Sequence, residues 1–136
     1  TLWHTLSLHD ALPISAPPVG EVDLAAYEEL LEQAKRKPRK KKIELLRSAV
    51  AANPRGDRAL AELATLLMEQ VKARDEALAL AERAVAANPD NGQAWLVIGY
   101  VHQLVGNGAE SRDAYKKCAE CSGPKMYVNE CKRLVR

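Results

Sequence analysis

Ala84-Val85-Ala86-Ala87-Asn88-Pro89 repeats, letter for letter, a hexamer that stands thirty-five residues earlier at Ala49-Val50-Ala51-Ala52-Asn53-Pro54. Pro124 falls thirty-five residues after Pro89. A fixed period of this length marks an array of structural repeats. Each Ala-Val-Ala-Ala reads as the end of a helix. The proline that follows lacks an N–H and clashes with the preceding turn, so it cannot continue one. Asn53 and Asn88 stand directly before proline and are pushed out of the helical region. The chain is therefore stopped at the same point in each period.

Two complete periods lie between Pro54 and Pro124. Leu60 aligns with Trp95, Leu63 with Ile98, Ala64 with Gly99 and Leu67 with His102. Further on Ala77 aligns with Ser111, Ala81 with Tyr115 and Ala84 with Cys118, one residue out of step because the inter-helix loops differ in length. Trp95-x-x-Ile98-Gly99-x-x-His102 followed by Ser111-x-x-x-Tyr115 resembles the tetratricopeptide repeat: a bulky residue, Leu-Gly, an aromatic, then a small residue and a second aromatic. His102 takes an aromatic's place, and Lys42 stands where the first repeat, 22–54, should have a small residue. Small side chains at Ala64, Gly99, Ala77 and Ala84 let paired helices approach closely. The resemblance implies an all-α fold, a right-handed α-solenoid of antiparallel helix pairs with about three repeats and a C-terminal capping helix.

The segments follow in order. Thr5-Leu-Ser-Leu-His-Asp-Ala-Leu-Pro-Ile14 resembles the translation of a common sequencing-library adapter, so residues 1–15 are expected to be non-native and 16–21 a Pro-Pro linker. Leu24, Tyr27, Leu30, Leu31 and Ala34 share one face of a helix capped by Asp23 and broken by Pro38. Further helices are predicted over 39–52, 58–71, 76–87, 93–105 and 109–121. Asp57 and either Asp90 or Asn91 are the expected caps, and Gly106 the expected left-handed stop. The repeats thus span 22–124 (22–54, 57–91 and 92–124). A last helix over 125–136, with Tyr127, Cys131, Leu134 and Val135 inward, covers the open end of the stack.

Composition limits the function. The 136 residues are 47% hydrophobic but include only two Trp, four Tyr and no Phe, which suits thin helical layers built from Ala, Leu and Val. No run of about 18 apolar residues reads as a membrane span. The net charge is +2, yet seven cations crowd into Lys35, Arg36, Lys37, Arg39, Lys40, Lys41 and Lys42. The rest is mildly acidic. This run is either a solvated inter-helix loop or an anion-binding footprint for nucleic acid or acidic lipid. No aromatic is interleaved to stack on bases, which speaks against single-strand recognition. Three cysteines without a secretion signal point to a reducing, cytoplasmic setting. Cys118 and Cys121 are expected to pack in the core, with a zinc site or thiol redox chemistry as the other readings of Cys118-x-x-Cys121.

No cofactor and no catalysis are expected, because no glycine-rich phosphate loop, Gly-x-Ser-x-Gly or His-Glu-x-x-His occurs. His102 reads as a core histidine. The resemblance implies instead a concave groove, lined by the first helix of each pair, that takes a peptide or partner protein. Its expected lining is Arg58, Glu62, Thr65 and Glu69 from one helix and Gln93, Leu96, Val97, Tyr100 and Gln103 from the next. Members of the family that clamp a C-terminal carboxylate use basic and amide side chains. Glu62 and Val97 occupy those places, so a mixed basic and apolar peptide is the expected ligand. The protein is expected to be an interaction module, the C-terminal part of a longer chain; a role joining an upstream catalytic domain to its regulator is the remaining alternative.

Overall fold

A computed structural model describes residues 22–136, so the expectations for 1–15 and for the linker up to Glu21 lie outside the described residues. Among the described residues seven α-helices follow one another: α1 Leu24–Ala34, α2 Arg39–Ala52, α3 Asp57–Leu67, α4 Arg74–Ala87, α5 Gly92–Leu104, α6 Gly108–Ala119 and α7 Lys125–Leu134. One 3₁₀ turn, Val71–Ala73, precedes α4. There are no strands among the described residues. Each helix packs on the next, and α5 reaches both α3 and α7 across the intervening helices. This is a stack of helix pairs, as the thirty-five-residue period requires. None of these helices is long and apolar enough to cross a membrane.

The repeated hexamer builds the same turn twice. Asn53 and Asn88 end α2 and α4 with extended backbones, φ −140° and −145°. Their N–H groups donate to the carbonyls of Ala49 and Ala84 at 2.9 and 2.8 Å. Each Asn side chain then accepts from a backbone N–H two residues on, Arg55 at 3.3 Å and Asp90 at 3.1 Å. Asn is chosen here because its short amide can satisfy the chain after proline has ended the helix. Gly106, at φ +85°, is the left-handed stop of α5.

The small residues are where the helices meet. Ala64, Ala77, Ala81 and Ala84 are fully buried. At Gly99 a Cβ would lie 2.4 Å from the Tyr115 ring, and at Gly56 the same distance from Tyr27. Both tyrosines are buried by this contact, and burial pushes both phenols above their usual range. The Tyr27 hydroxyl accepts from the Ala59 N–H at 3.2 Å. The main core runs from Tyr27 on α1 to Ala114 on α6. A smaller cluster of Tyr115, Cys118 and Cys131 lies between α6 and α7, and Trp95 packs against both.

Several local expectations need correction. Asp57 is the first residue of α3 and does not cap it; its carboxylate instead accepts from Asn88 Nδ2 at 3.0 Å and Asn91 Nδ2 at 2.8 Å, tying one inter-repeat turn to the next. Asn91, not Asp90, caps α5 through the Ala94 N–H at 2.9 Å. The segment 72–75 is not a simple loop: a 3₁₀ turn leads straight into α4 at Arg74. His102 is only half-buried, with Nδ1 3.3 Å from Asn107 Nδ2. On α7 the buried apolar residue missed by the sequence reading is Val128.

The cysteine expectation also changes. Cys118 is fully buried, as expected, but it is disulfide-bonded to Cys131, with Cα atoms 5.8 Å apart, and Cys121 alone is free. The spacing Cys118-x-x-Cys121 offered zinc or thiol redox chemistry as the other readings beside core packing. The return of α7 along α6 brings 131 to 118 instead, and leaves neither sulfur of the bridge available to a metal.

Candidate functional site

The N-terminal ends of α3, α5 and α7 stand side by side. Between them lies a cleft of about 260 Å³ lined by Asp57, Arg58, Asn88, Asp90, Asn91, Gly92, Gln93, Gly123, Pro124 and Tyr127. The polar side chains in its walls are held in place by their neighbours. Asp57 fixes Asn88 and Asn91 from below. Asp90 accepts from the Ser122 N–H at 2.9 Å and from the Ser122 hydroxyl, and these bonds hold its carboxyl below the usual carboxylate range. Gln93 donates from Nε2 to Thr65 Oγ1 at 3.0 Å, and Thr65 donates in turn to the Ala61 carbonyl at 2.8 Å. Arg58 pairs with Glu28 on α1 and lies over the Tyr27 ring, 5.7 Å from its centre. Tyr127 is half-buried. Burial, and then the charge of Glu62, raises its phenol above the usual value.

The expected lining residues therefore divide. Arg58 and Gln93 line the cleft, with Thr65 bonded to Gln93 and Glu62 close enough to Tyr127 to act on its titration. Glu69 lies past the far end of α3 and pairs with Arg39 at 3.2 Å. Leu96 is half-buried against the Tyr115–Cys118–Cys131 cluster. Gln103 accepts from the Tyr115 hydroxyl at 2.8 Å. Tyr100 is 38% exposed beside the exposed Leu104. Val97 is withdrawn from the lining: it is 1% exposed, because α5 is the central helix and packs on α3, α4, α6 and α7, so more of its circumference is covered than in an edge helix. Sequence reasoning missed Tyr127, Asn88 and Asn91. The signal for Tyr127 was present in its place on the last helix, but covering the stack and lining the cleft look alike in a sequence.

The basic run surrounds the turn between α1 and α2. Lys35 pairs with Glu32 at 2.5 Å, Lys41 with Glu44 at 3.5 Å, and Arg39 with Glu69 as well as the Leu66 carbonyl. Arg36, Lys37 and Lys40 are exposed and make no ion pair among the described residues. Four cations in the first turn of α2, with no acid among them, oppose the positive end of the helix dipole.

A second, shallower pocket of about 350 Å³ shares Asp90 with the cleft and is lined also by Pro89, Trp95, Lys117, Glu120 and Cys121. Trp95 Nε1 donates to the Pro89 carbonyl at 2.8 Å, and the Lys117 ammonium sits 4.8 Å from the ring centre. Burial, then the charges of Asp90 and Glu120, push the Cys121 thiol above its usual value, which disfavours a reactive thiolate.

No protein-family model matches the chain. A stretch of 67 residues is 36% identical to the cytochrome c-type biogenesis protein CycH of Pseudomonas aeruginosa. That match covers 49% of this chain and 16% of the relative's length.

Proposed function

We propose that this helical stack is a non-enzymatic protein-interaction module that takes a polypeptide segment along the cleft between α3, α5 and α7. The observation that carries it is the cleft itself, where three helix ends present fixed amide and carboxylate groups beside one tyrosine ring. Side chains already held by their neighbours lose little freedom when a ligand arrives. The resemblance to tetratricopeptide repeats supports the same use of the surface. Asp57, Asp90 and Glu62 against Arg58 favour a segment with basic side chains, and Tyr127 and Tyr100 offer apolar contact. The likeness to a cytochrome c-type biogenesis protein supports a partner engaged in the assembly of c-type cytochromes. The Cys118–Cys131 bridge favours an oxidising compartment over the cytoplasm that the cysteine count suggested.

Calorimetric titration with peptides tiled across a c-type cytochrome and its assembly proteins tests this. Binding of a basic, partly apolar peptide, weakened at least tenfold by Tyr127→Ala and by Glu62→Lys, is expected. A peptide that binds with equal strength to both variants overturns the placement. Failure of the whole set to bind overturns the assignment to cytochrome assembly.

A second reading rests on the unpaired cations Arg36, Lys37 and Lys40, which suit an anionic surface. Salt separates the two. A phosphate-binding mode loses affinity with a log–log slope of about one per contact, and a duplex oligonucleotide titrated at rising salt reads that slope directly.

A further inference from the structure

The cleft has one wall of a different kind from the rest. Asp57, Arg58 and Gln93 belong to helices built into the main core, and Asn88 and Asn91 to the turn between α4 and α5, whereas Gly123, Pro124 and Tyr127 belong to the segment that carries α7. α7 is ten residues long, too short to persist as a helix on its own. It buries only Val128 and Cys131: Cys131 and the half-buried Leu134 join the small cluster, Val128 lies beside Gly92 on α5, and none of them joins the main core. Among the described residues its ion pair, Arg133 with Glu130, is internal to the helix and ties it to nothing else. Beside these few apolar contacts, two links hold this segment to the body: the Asp90–Ser122 hydrogen bonds at its root and the Cys118–Cys131 bridge at its middle. A covalent bond closing a loop of thirteen residues dominates the second.

From this arrangement we infer that Cys118–Cys131 is a redox latch that holds α7, and with it the Tyr127 wall, against α5 and α6. Reduction by a protein or small-molecule dithiol opens it. One thiolate of the dithiol attacks Cys131 Sγ, the S–S bond breaks, and Cys118 leaves as a thiolate that takes up a proton. The second thiol of the reductant then resolves the mixed disulfide. It forms the reductant's own disulfide and releases the Cys131 thiol. Both sulfurs are fully buried, so attack follows transient opening of α7, and its rate reports that opening. Once cut, α7 is left with little apolar contact and moves away, exposing Leu96, Tyr115 and Cys118. The cleft consequence rests on the binding proposal above; the latch does not.

The test uses the full chain with and without dithiothreitol. Thiol titration of the denatured, unreduced chain is expected to find one thiol; finding three overturns the latch. Hydrogen exchange is then followed by mass spectrometry. Reduction is expected to speed exchange of amides 125–134 at least tenfold while α3 and α4 keep their protection. Unchanged exchange in α7 overturns the inference, and so does loss of protection throughout, since the bridge would then hold the whole fold. Cys131→Ala should show the fast α7 exchange without reductant, and Cys121→Ser should behave as the parent chain does. If α7 responds in this way but peptide affinity does not, the latch stands and the placement of the ligand in the cleft fails.

Discussion

At the scale of single residues, the fold depends on what is absent at Gly99. The Tyr115 ring occupies the place a Cβ would take, so Gly99→Ala forces the ring or helix α6 to shift. Overpacking of this kind costs about 1–3 kcal/mol, which chemical denaturation of the variant should show; a loss below about 0.5 kcal/mol would mean that α6 yields freely. This residue was legible in advance, because it falls where the repeat pattern asks for a small side chain. Val97 was not. Periodicity gives a face, but how wide the buried face is depends on how many neighbours a helix has, and α5 has four. Asp90 offers a pH test. Its folded carboxyl is depressed by the Ser122 hydrogen bonds, so it stabilises the fold above the unfolded value of about 3.9. That contribution disappears as pH falls through the depressed value. The melting temperature of the parent chain should therefore exceed that of Asp90→Asn at pH 7, and the gap should close on acidification. A gap that persists at acid pH would show that ionisation of Asp90 plays no part.

Among the elements, the helices themselves were readable where local chemistry bounds them, at the Asn-Pro stops, at Gly106 and at the side-chain caps Asp23 and Asn91. Helix α3, expected to run to 71, ends at Leu67, and α4 starts at Arg74 where 76 was expected. Contacts between elements were harder. The pairing of Cys118 with Cys131 follows from the path of α7 along α6, which no short-range pattern encodes. Trp95 shows what such contacts are worth. It is half-buried, touches both clusters, donates to the Pro89 carbonyl and carries Lys117 on its face. Trp95→Ala should cost about 3 kcal/mol, the lower part of the range for large aromatic truncations, because the site is only partly covered. Tyr100→Ala removes a ring that is 38% exposed and should cost less than about 1.5 kcal/mol. Urea denaturation of both variants decides it. If Tyr100→Ala proves the more damaging, Tyr100 packs against something other than solvent.

For the whole molecule, the question is what makes separate helix pairs behave as one body. Repeat arrays owe their cooperativity to the terms between neighbouring units, and beside the continuous apolar core this chain has two polar sorts of them. Exposed ion pairs such as Arg47–Glu76, at 2.6 Å between α2 and α4, hold the carboxyl of Glu76 below its usual range. Both side chains are more than 40% exposed, so the pair is worth about 0.2–1 kcal/mol and weakens with salt. The second sort is the bonding of Asp57 to Asn88 and Asn91, part-buried between successive turns. There a charged acceptor meets neutral donors partly shielded from water, and hydrogen bonds to charged groups are worth about 1.5–3 kcal/mol. A double-mutant cycle on Asp57→Ala and Asn88→Ala should accordingly give a larger coupling than one on Arg47→Ala and Glu76→Ala. It should also change less between low and high salt, since exposed charges are screened and part-buried ones are screened much less. Asp57→Ala should in addition broaden the denaturation transition, because the turn that leads into the 92–124 unit would lose its anchor on α3, leaving Gln93–Thr65, Trp95–Pro89 and Asp90–Ser122 as polar links between the 57–91 and 92–124 units. Equal couplings, or a transition as sharp as that of the parent chain, would assign the cooperativity to the continuous alanine and leucine core and leave the polar links only the task of shaping the cleft.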